Sequence, residues 1–525
     1  MQATPLGAMA LTAVLTAGVL AVAAPASATV GAPWLSDTWV DQTGTTNLGV
    51  VIKGAGADKA DKANPDDGGK KTGVALTGAG IGVALIDSGV SPVTGLAGAG
   101  KVINGPDLSF DSQATNLRYL DGYGHGTHMA GIIAGQGPTP TVGTRFTGVA
   151  PGAHIVNVKV ASADGASDVS QVIAGIDWVV AHRNDKGLNI RVLNLSYGTE
   201  STQSTTLDPL AYAVEKAWDA GIVVVVAAGN DGFTANNLTM PAADPDVIAV
   251  GAADPKGTVD RTDDVVPDFS NRGNATRHPD VLAAGRSVVS LRSPGSYIDR
   301  TYPTARLTLT SDPEQRFARG SGTSQAAAVV SGSVALLLQQ RPGLKPDQVK
   351  KLLMDTADPI VNGDAYAAGA GQINLARAAL AKTDKGYKQV NPAATGLGLL
   401  EAARGGTYVY DSVSGAALTG EMDIFGKAWS APTWAAASAK QKSWSGGTWN
   451  GSAWTGSAFG ALVGGAKTWA PVVWTGRSWS GANWSGRSWS NATWSGRSWS
   501  AQTWTGRSWS GRSWSAAGWN GEPWQ

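Results

Sequence analysis

The chain has 525 residues, 15% of them charged, with a formal net charge of +1. That length leaves room for two or three domains and a large core, and the balanced charge carries no global signature of a nucleic-acid partner. There is no cysteine, which excludes disulfides, thiolate catalysis and cysteine-ligated zinc.

The first segment is small and apolar from Leu6 to Ala24, and Ala26-Ser27-Ala28 fits the small-x-small rule for signal cleavage. Residues 1–28 are therefore expected to be a signal peptide. No lysine or arginine precedes the apolar run, and an uncleaved anchor is the alternative. No later segment is long and apolar enough to span a bilayer, so a secreted, extracellular or cell-wall-associated protein is expected. Residues 29–72 read as a short leader or pro-segment. Trp34 and Trp39 are its only large anchors, and a charged, glycine-rich run from Asp58 to Lys71 follows.

From Gly73 the texture changes. Gly82–Ile86 is an apolar run ending at Asp87, and Ile155–Val160, Val192–Ser196, Ile222–Ala227 and Val247–Gly251 repeat the pattern. Continuous apolar runs of this length suit strands covered on both faces. Helical patterns lie between them, at His125–Ala134, Val169–Ala181 and Leu207–Ala220, with closing helices at Gln348–Ala357 and Leu375–Lys382. Alternating strands and helices predict an α/β domain with a mainly parallel sheet over residues 73–382. Functional residues in such sheets collect beyond the carboxyl ends of the strands, where Asp87 and Asn230 fall. Gly78-Ala79-Gly80-Ile81-Gly82 imitates a dinucleotide loop but precedes its strand, which rules that reading out.

Residues 383–427 show little periodicity and are expected to be a linker, with room for one small hairpin. From Trp429 to Trp524 an aromatic register recurs every five residues: of twenty positions seventeen are Trp and one is Phe459, and only Ala439 and Gly464 break it. Residues 428–525 carry eight basic side chains against Glu522 alone, a net +7. A step of five matches neither a helix face nor a strand face. It suits short strands joined by turns, a solenoid, or a disordered low-complexity tail. Indole faces with nearby arginines predict binding to cell wall, glycan or an anionic polymer. A self-stacking stalk is the plainer alternative.

Four motifs carry chemistry. Asp87 closes Ile86-Asp87-Ser88-Gly89-Val90. His125 sits in Gly124-His125-Gly126-Thr127-His128, Asn230 in Ala227-Ala228-Gly229-Asn230, and Ser324 in Gly322-Thr323-Ser324-Gln325-Ala326. The last stretch leads into a run, Ala326 to Leu338, that is apolar on nearly all sides and predicts a buried helix. On its own, a Gly-Thr-Ser ahead of a helix is more often a cap than a nucleophile. Its partners change that. A serine becomes nucleophilic when an imidazole takes its proton. A carboxylate fixes the imidazole's tautomer, and an amide donor meets the oxyanion. Of the five histidines only His125 lies in a Gly-rich turn just ahead of a helix. For His128, three residues on, a packed structural role is expected, because the pair lacks a third metal ligand.

Taken together and in this order, the motifs resemble those of the subtilisin-like serine proteases, over about residues 73–382. The resemblance implies a three-layer α/β fold with an Asp87–His125–Ser324 triad. Asn230 and the Ser324 backbone N–H would be the oxyanion donors. Ser196, Tyr197 and Gly198 would pair with substrate backbone, and Gly165 would stand on the opposite side of that cleft. Phe269-Ser270-Asn271-Arg272-Gly273 resembles a further structural signature. Ala328 and Ala284 stand where the family usually carries proline. The implied activity is endopeptidase action on proteins or peptides, with no cofactor needed for the chemistry. Structural calcium is a family property, but no loop of this sequence can be assigned to it. The competing expectation is a catalytically silent surface-binding protein that keeps the fold.

Overall fold

Seven strands form one sheet in which every pairing is parallel. In chain order they are β1 (Gly82–Asp87), β2 (Val102–Asp107), β3 (His154–Lys159), β4 (Ile190–Leu195), β5 (Val223–Ala227), β6 (Ile248–Ala253) and β7 (Val281–Ala284). Their spatial order is β2-β3-β1-β4-β5-β6-β7. This computed structural model describes residues 48–454, except 58–62, 68–69, 72–74, 114–116, 138–145, 164, 234–235, 309–311, 313, 362 and 410–416. The expected signal peptide, much of the leader and the tail beyond Trp454 lie outside the described residues. Among those described, no helix is long and apolar enough to cross a membrane.

The central strands are buried along their whole length, so both faces of the sheet are covered. Helix α1 (His125–Ala134) packs on α4 (Thr323–Gln340), and α4 lies across β4 to β7. Helix α2 (Val169–His182) packs on α3 (Pro209–Asp219), and this pair lies against β1 and β5. Local chemistry starts the second pair: Asp168 accepts from Ser170 N in a capping box with Gln171, and Asp208 accepts from Leu210 N ahead of Pro209. The three-layer α/β fold expected from the sequence is therefore present. The two strands that the apolar runs did not reveal, β2 and β7, are the sheet edges. An edge strand tolerates the Gly105-Pro106 of β2.

The boundaries of the domain differ from expectation. Part of the supposed leader, the short helix Leu48–Gly54, packs into the core through Val51, and Ala55 O accepts from Leu375 N at 2.7 Å. The supposed linker 383–427 also belongs to the fold. Leu400, Ala403, Ile424 and Phe425 are buried in the main core. Arg404, on the short helix Leu400–Arg404, bonds Asp168 at 2.7 Å, and both side chains are fully buried. Upstream, Ala394 N donates to both oxygens of Glu215, and the Asn391 amide donates to Asp246 at 2.6 Å. This strap closes over a group of buried acids. Burial is the main reason that the Asp244 carboxyl is pushed up to about 8 and that of Glu215 to about 7.

The Trp register begins inside the same body. Trp429, Trp434, Trp444, Trp449 and Trp454 are all buried. The indole N–H groups of Trp434 and Trp449 donate to Asp177 Oδ2 on α2 at 2.8 and 2.9 Å, and Ser438 Oγ donates to Oδ1 at 2.8 Å. Here the five-residue period becomes a helix, Ala431–Ala439, followed by strands Trp444–Ser445, Thr448–Trp449 and Ser452–Ala453. The intervening Gly446-Gly447 and Asn450-Gly451 all have positive φ, as two-residue hairpin turns require. Of the readings the sequence offered, short strands joined by turns describes residues 444–454.

Two predictions follow from this packing. A chain ending at Lys427 should lose the buried indoles, each worth about 3–5 kcal/mol when removed from a core, and leave Asp177 without its donors. Calorimetry should show a midpoint well below that of a chain ending at Trp454, which keeps all five buried indoles. The second prediction concerns Asp244, which in the folded state holds a proton the unfolded chain has already lost. It therefore removes stability as pH rises from its ordinary range toward about 8. Asp244→Asn should melt about 2 °C or more above wild type at pH 9, with the gap closing near pH 4, as thermal melts across that range would show.

Candidate active site

The site is assembled at the carboxyl ends of the strands. Asp87 is the last residue of β1 and is fully buried, as is His125 at the first position of α1. The His125 Nδ1 lies 2.9 Å from both Asp87 oxygens. Ser88 N donates to Asp87 Oδ1 at 2.7 Å. A side chain at Gly126 would not fit: its Cβ would lie 2.2 Å from Gly89 O and 3.0 Å from Asp87 Oδ1. Glycine at that position lets the helix start close against the carboxylate.

Sequence reasoning missed Asp121. Its buried carboxylate accepts from Ser88 Oγ at 2.8 Å and from Gly124 N at 2.6 Å through Oδ1, and from Thr127 N at 2.7 Å through Oδ2. It thus ties the end of β1 to the loop and first turn that carry His125. Burial, opposed by these donors, raises the Asp121 carboxyl above its usual range. The available signal was an acidic residue four positions before His125, in Asp121-Gly122-Tyr123-Gly124. His128 is buried within α1, and burial holds its imidazole well below the usual range, and so neutral. That agrees with a packed structural role.

Ser324 is the second residue of α4. The helix is preceded by Gly322 with no side-chain cap, so Ser324 is not the N-cap that a Gly-Thr-Ser stretch most often supplies. Asn230 follows β5, and its Oδ1 accepts from Thr323 N at 2.8 Å and Thr323 Oγ1 at 2.9 Å. With the oxygen engaged, the Nδ2 donor is turned to the other side. Asn230 Nδ2 and Ser324 N each lie 3.7 Å from the point that a Cβ on Gly322 would occupy. Asn230 is thus held against the first turn of the buried helix that carries Ser324, where the helix dipole favours negative charge.

The Phe269–Gly273 motif supports this loop. Asn271 Oδ1 accepts from Asp231 N at 2.5 Å, Asn271 N donates to Gly229 O, and its amide donates to Asn237 O. Ser196, Tyr197 and Gly198 continue from the end of β4 and are buried. Gly165 has φ +84 and lies against Tyr123, two residues before His125. The Tyr197 hydroxyl is held well above its usual range by burial first and then by the charge of Asp168. Among the described residues, one acidic group has the spacing to hold a metal ion: Glu215, Asp244 and Asp246, with oxygens within 4.8 Å of one another. None of the three is among the residues just described.

Comparison with known proteins identifies the family. The Subtilase family model matches residues 78–393. Serine protease AprX of Bacillus subtilis (strain 168) is 37% identical over 310 residues, covering 58% of this chain and 67% of that protein. Subtilisin DY of Bacillus licheniformis is 33% identical over 306 residues, covering 58% and 92%. Minor extracellular protease Epr of Bacillus subtilis (strain 168) is 34% identical over 267 residues, covering 51% and 33%. The match covers the parallel sheet but stops before most of the packed C-terminal segment. This chain belongs to the subtilase family and is a serine-type endopeptidase.

Proposed function

We propose that the protein hydrolyses peptide bonds through an acyl-enzyme on Ser324. The observation that carries this reading is the joint placement, at one edge of the sheet, of a buried Asp87–His125 pair and of Asn230 bonded to the first turn of the helix that carries Ser324. In the proposed mechanism Asp87 accepts a hydrogen bond from the Nδ1–H of His125, which fixes the tautomer in which Nε2 carries the lone pair. Nε2 takes the Ser324 hydroxyl proton as Oγ attacks the substrate carbonyl carbon. The carbonyl oxygen becomes negative between Asn230 Nδ2 and Ser324 N. His125 then returns the proton to the departing amine, and the peptide C–N bond breaks. Water, deprotonated by the same nitrogen, releases the acid and regenerates Ser324.

Ser196–Gly198 and Gly165 are assigned to the two sides of the substrate cleft, supported by their burial beside the loops that carry the site. An extracellular location is also part of the proposal. It rests on the signal-like residues 1–28 and on a relative that is named extracellular. Adhesion by the Trp repeat beyond Trp454 rests on the sequence alone. The opposing reading, a silent protein that keeps the fold, is disfavoured by the presence of all four chemical groups.

A fluorophosphonate probe should label wild type and leave Ser324→Ala unlabelled. Equal labelling of the two would remove Ser324 from the mechanism. Asn230→Ala should lower kcat by about 10²–10³ with little change in KM, a size borrowed from the loss of one such donor in a subtilisin. A change confined to KM would make Asn230 a binding residue instead.

A further inference from the structure

A cavity of about 590 Å³ opens beside Asn230, well within the range of ligand pockets. One wall is the segment that leaves β4, beginning at Thr199; the other leaves β5 and includes Asp231, Asn237, Leu238 and Met240. Thr199 and Met240 join the walls through reciprocal backbone hydrogen bonds of 2.8 Å. Each wall contributes one half-buried carboxylate, Glu200 and Asp231. Among the described residues that line the cavity there is no lysine, arginine or histidine, and none occurs in the sequence of residues 199–210 or 229–244. Arg272 reaches Asn236 on this loop, but its guanidinium is paired with Asp364 at 2.7 Å.

The position of the cavity follows from the acyl-transfer reading. A carbonyl oxygen held between Asn230 Nδ2 and Ser324 N belongs to the residue just before the scissile bond. That residue's side chain leaves the backbone one bond away, next to Asp231 and Thr199, the chain neighbours of Asn230 and Gly198. We propose that the side chain preceding the scissile bond enters this cavity, and that Glu200 and Asp231 select a cationic one, arginine or lysine. The proposal rests on the proteolytic reading of Ser324 and names its substrate class.

The selection has a plain physical basis. A guanidinium or ammonium between two carboxylates makes charge-assisted hydrogen bonds. An acidic side chain meets like charge. A leucine or phenylalanine displaces water from the carboxylates and offers no donor in return. The wall that carries Glu200 is held from behind by the C-terminal segment outside the family match. The Gln203 amide exchanges hydrogen bonds with the Leu399 backbone, both 2.9 Å, and Thr202 N donates to Ala402 O. Gly405, with φ +58, seats directly on the Glu200 backbone: a Cβ there would lie 2.4 Å from the Glu200 carbonyl carbon.

The test measures kcat/KM of the full-length protein on peptides that differ only in the residue before the scissile bond: Arg, Lys, Leu, Phe or Glu. Arg and Lys should exceed Leu and Phe by about tenfold or more, as expected of a hydrogen bond to a charged group, with Glu slowest. Glu200→Gln and Asp231→Asn should each lower the Arg-to-Leu ratio severalfold, and Glu200→Lys should raise the Glu peptide relative to Arg. The Arg preference of wild type should shrink from 0.1 M to 1 M salt, as the Debye length falls from about 10 Å to about 3 Å. A wild type that favours Leu or Phe would overturn the proposal, as would an Arg-to-Leu ratio unchanged in both neutralised variants while each still labels with fluorophosphonate. A wild type that neither labels nor cleaves any of the five peptides would instead overturn the underlying proteolytic reading, and the pocket assignment with it.

Discussion

A carboxylate buried at the end of a central strand must be surrounded by donors, because an ionised group shut away from water without them is very costly. Asp87 meets that requirement with His125 Nδ1 and Ser88 N. Most of the local architecture serves the pair. Gly126 lets α1 begin in contact with Asp87, and Asp121 fastens Ser88 to the first turn of the same helix. The histidine ring is held from the side that faces the protein, which leaves its other nitrogen as the reactive one in the proposed chemistry.

The parallel sheet supplies the rest by geometry. Asp87 ends β1, Asn230 follows β5, and Gly322 bonds back to Gly285 just beyond β7. Residues far apart in sequence thus reach one edge because parallel strands all finish there. Thr323 fills two roles at that edge. It begins α4, and it engages the Asn230 oxygen, which ties the loop after β5 to the start of that helix.

The C-terminal segment is bound by the same constraint applied to other buried charges. Asp168 caps α2 and is paired with Arg404, while Asp177 in the middle of α2 is served by two indoles and a serine hydroxyl. Burial pushes the Asp177 carboxyl up, and those donors pull against it. Two buried acids of the α2 segment thus take partners from Arg404, Trp434, Ser438 and Trp449. The C-terminal segment packs directly on this helix, although the family match ends at residue 393.

The sequence by itself determined the elements that local physics controls. Continuous apolar runs located four of the interior strands beside β1, and their covered faces implied helices on both sides. Capping residues and Gly-rich turns fixed where α1 and α2 begin, and Asp87, His125, Asn230 and Ser324 stood out because each sits in a short contiguous motif. The edge strand β2 escaped notice because Gly105 and Pro106 interrupt its apolar pattern. Only the tertiary structure decided which buried charges meet: Arg404 finds Asp168 across 236 residues, and Trp434 finds Asp177 across 257. No periodicity carries such a pairing, since it depends on where the folded chain returns. For that reason a stretch that looks like a linker, followed by the first turns of a low-complexity repeat, proves to be a structural wall. Asp121 belongs with these. A lone carboxylate in a glycine-rich turn looks like an ordinary loop residue until folding brings Ser88 and Thr127 onto it.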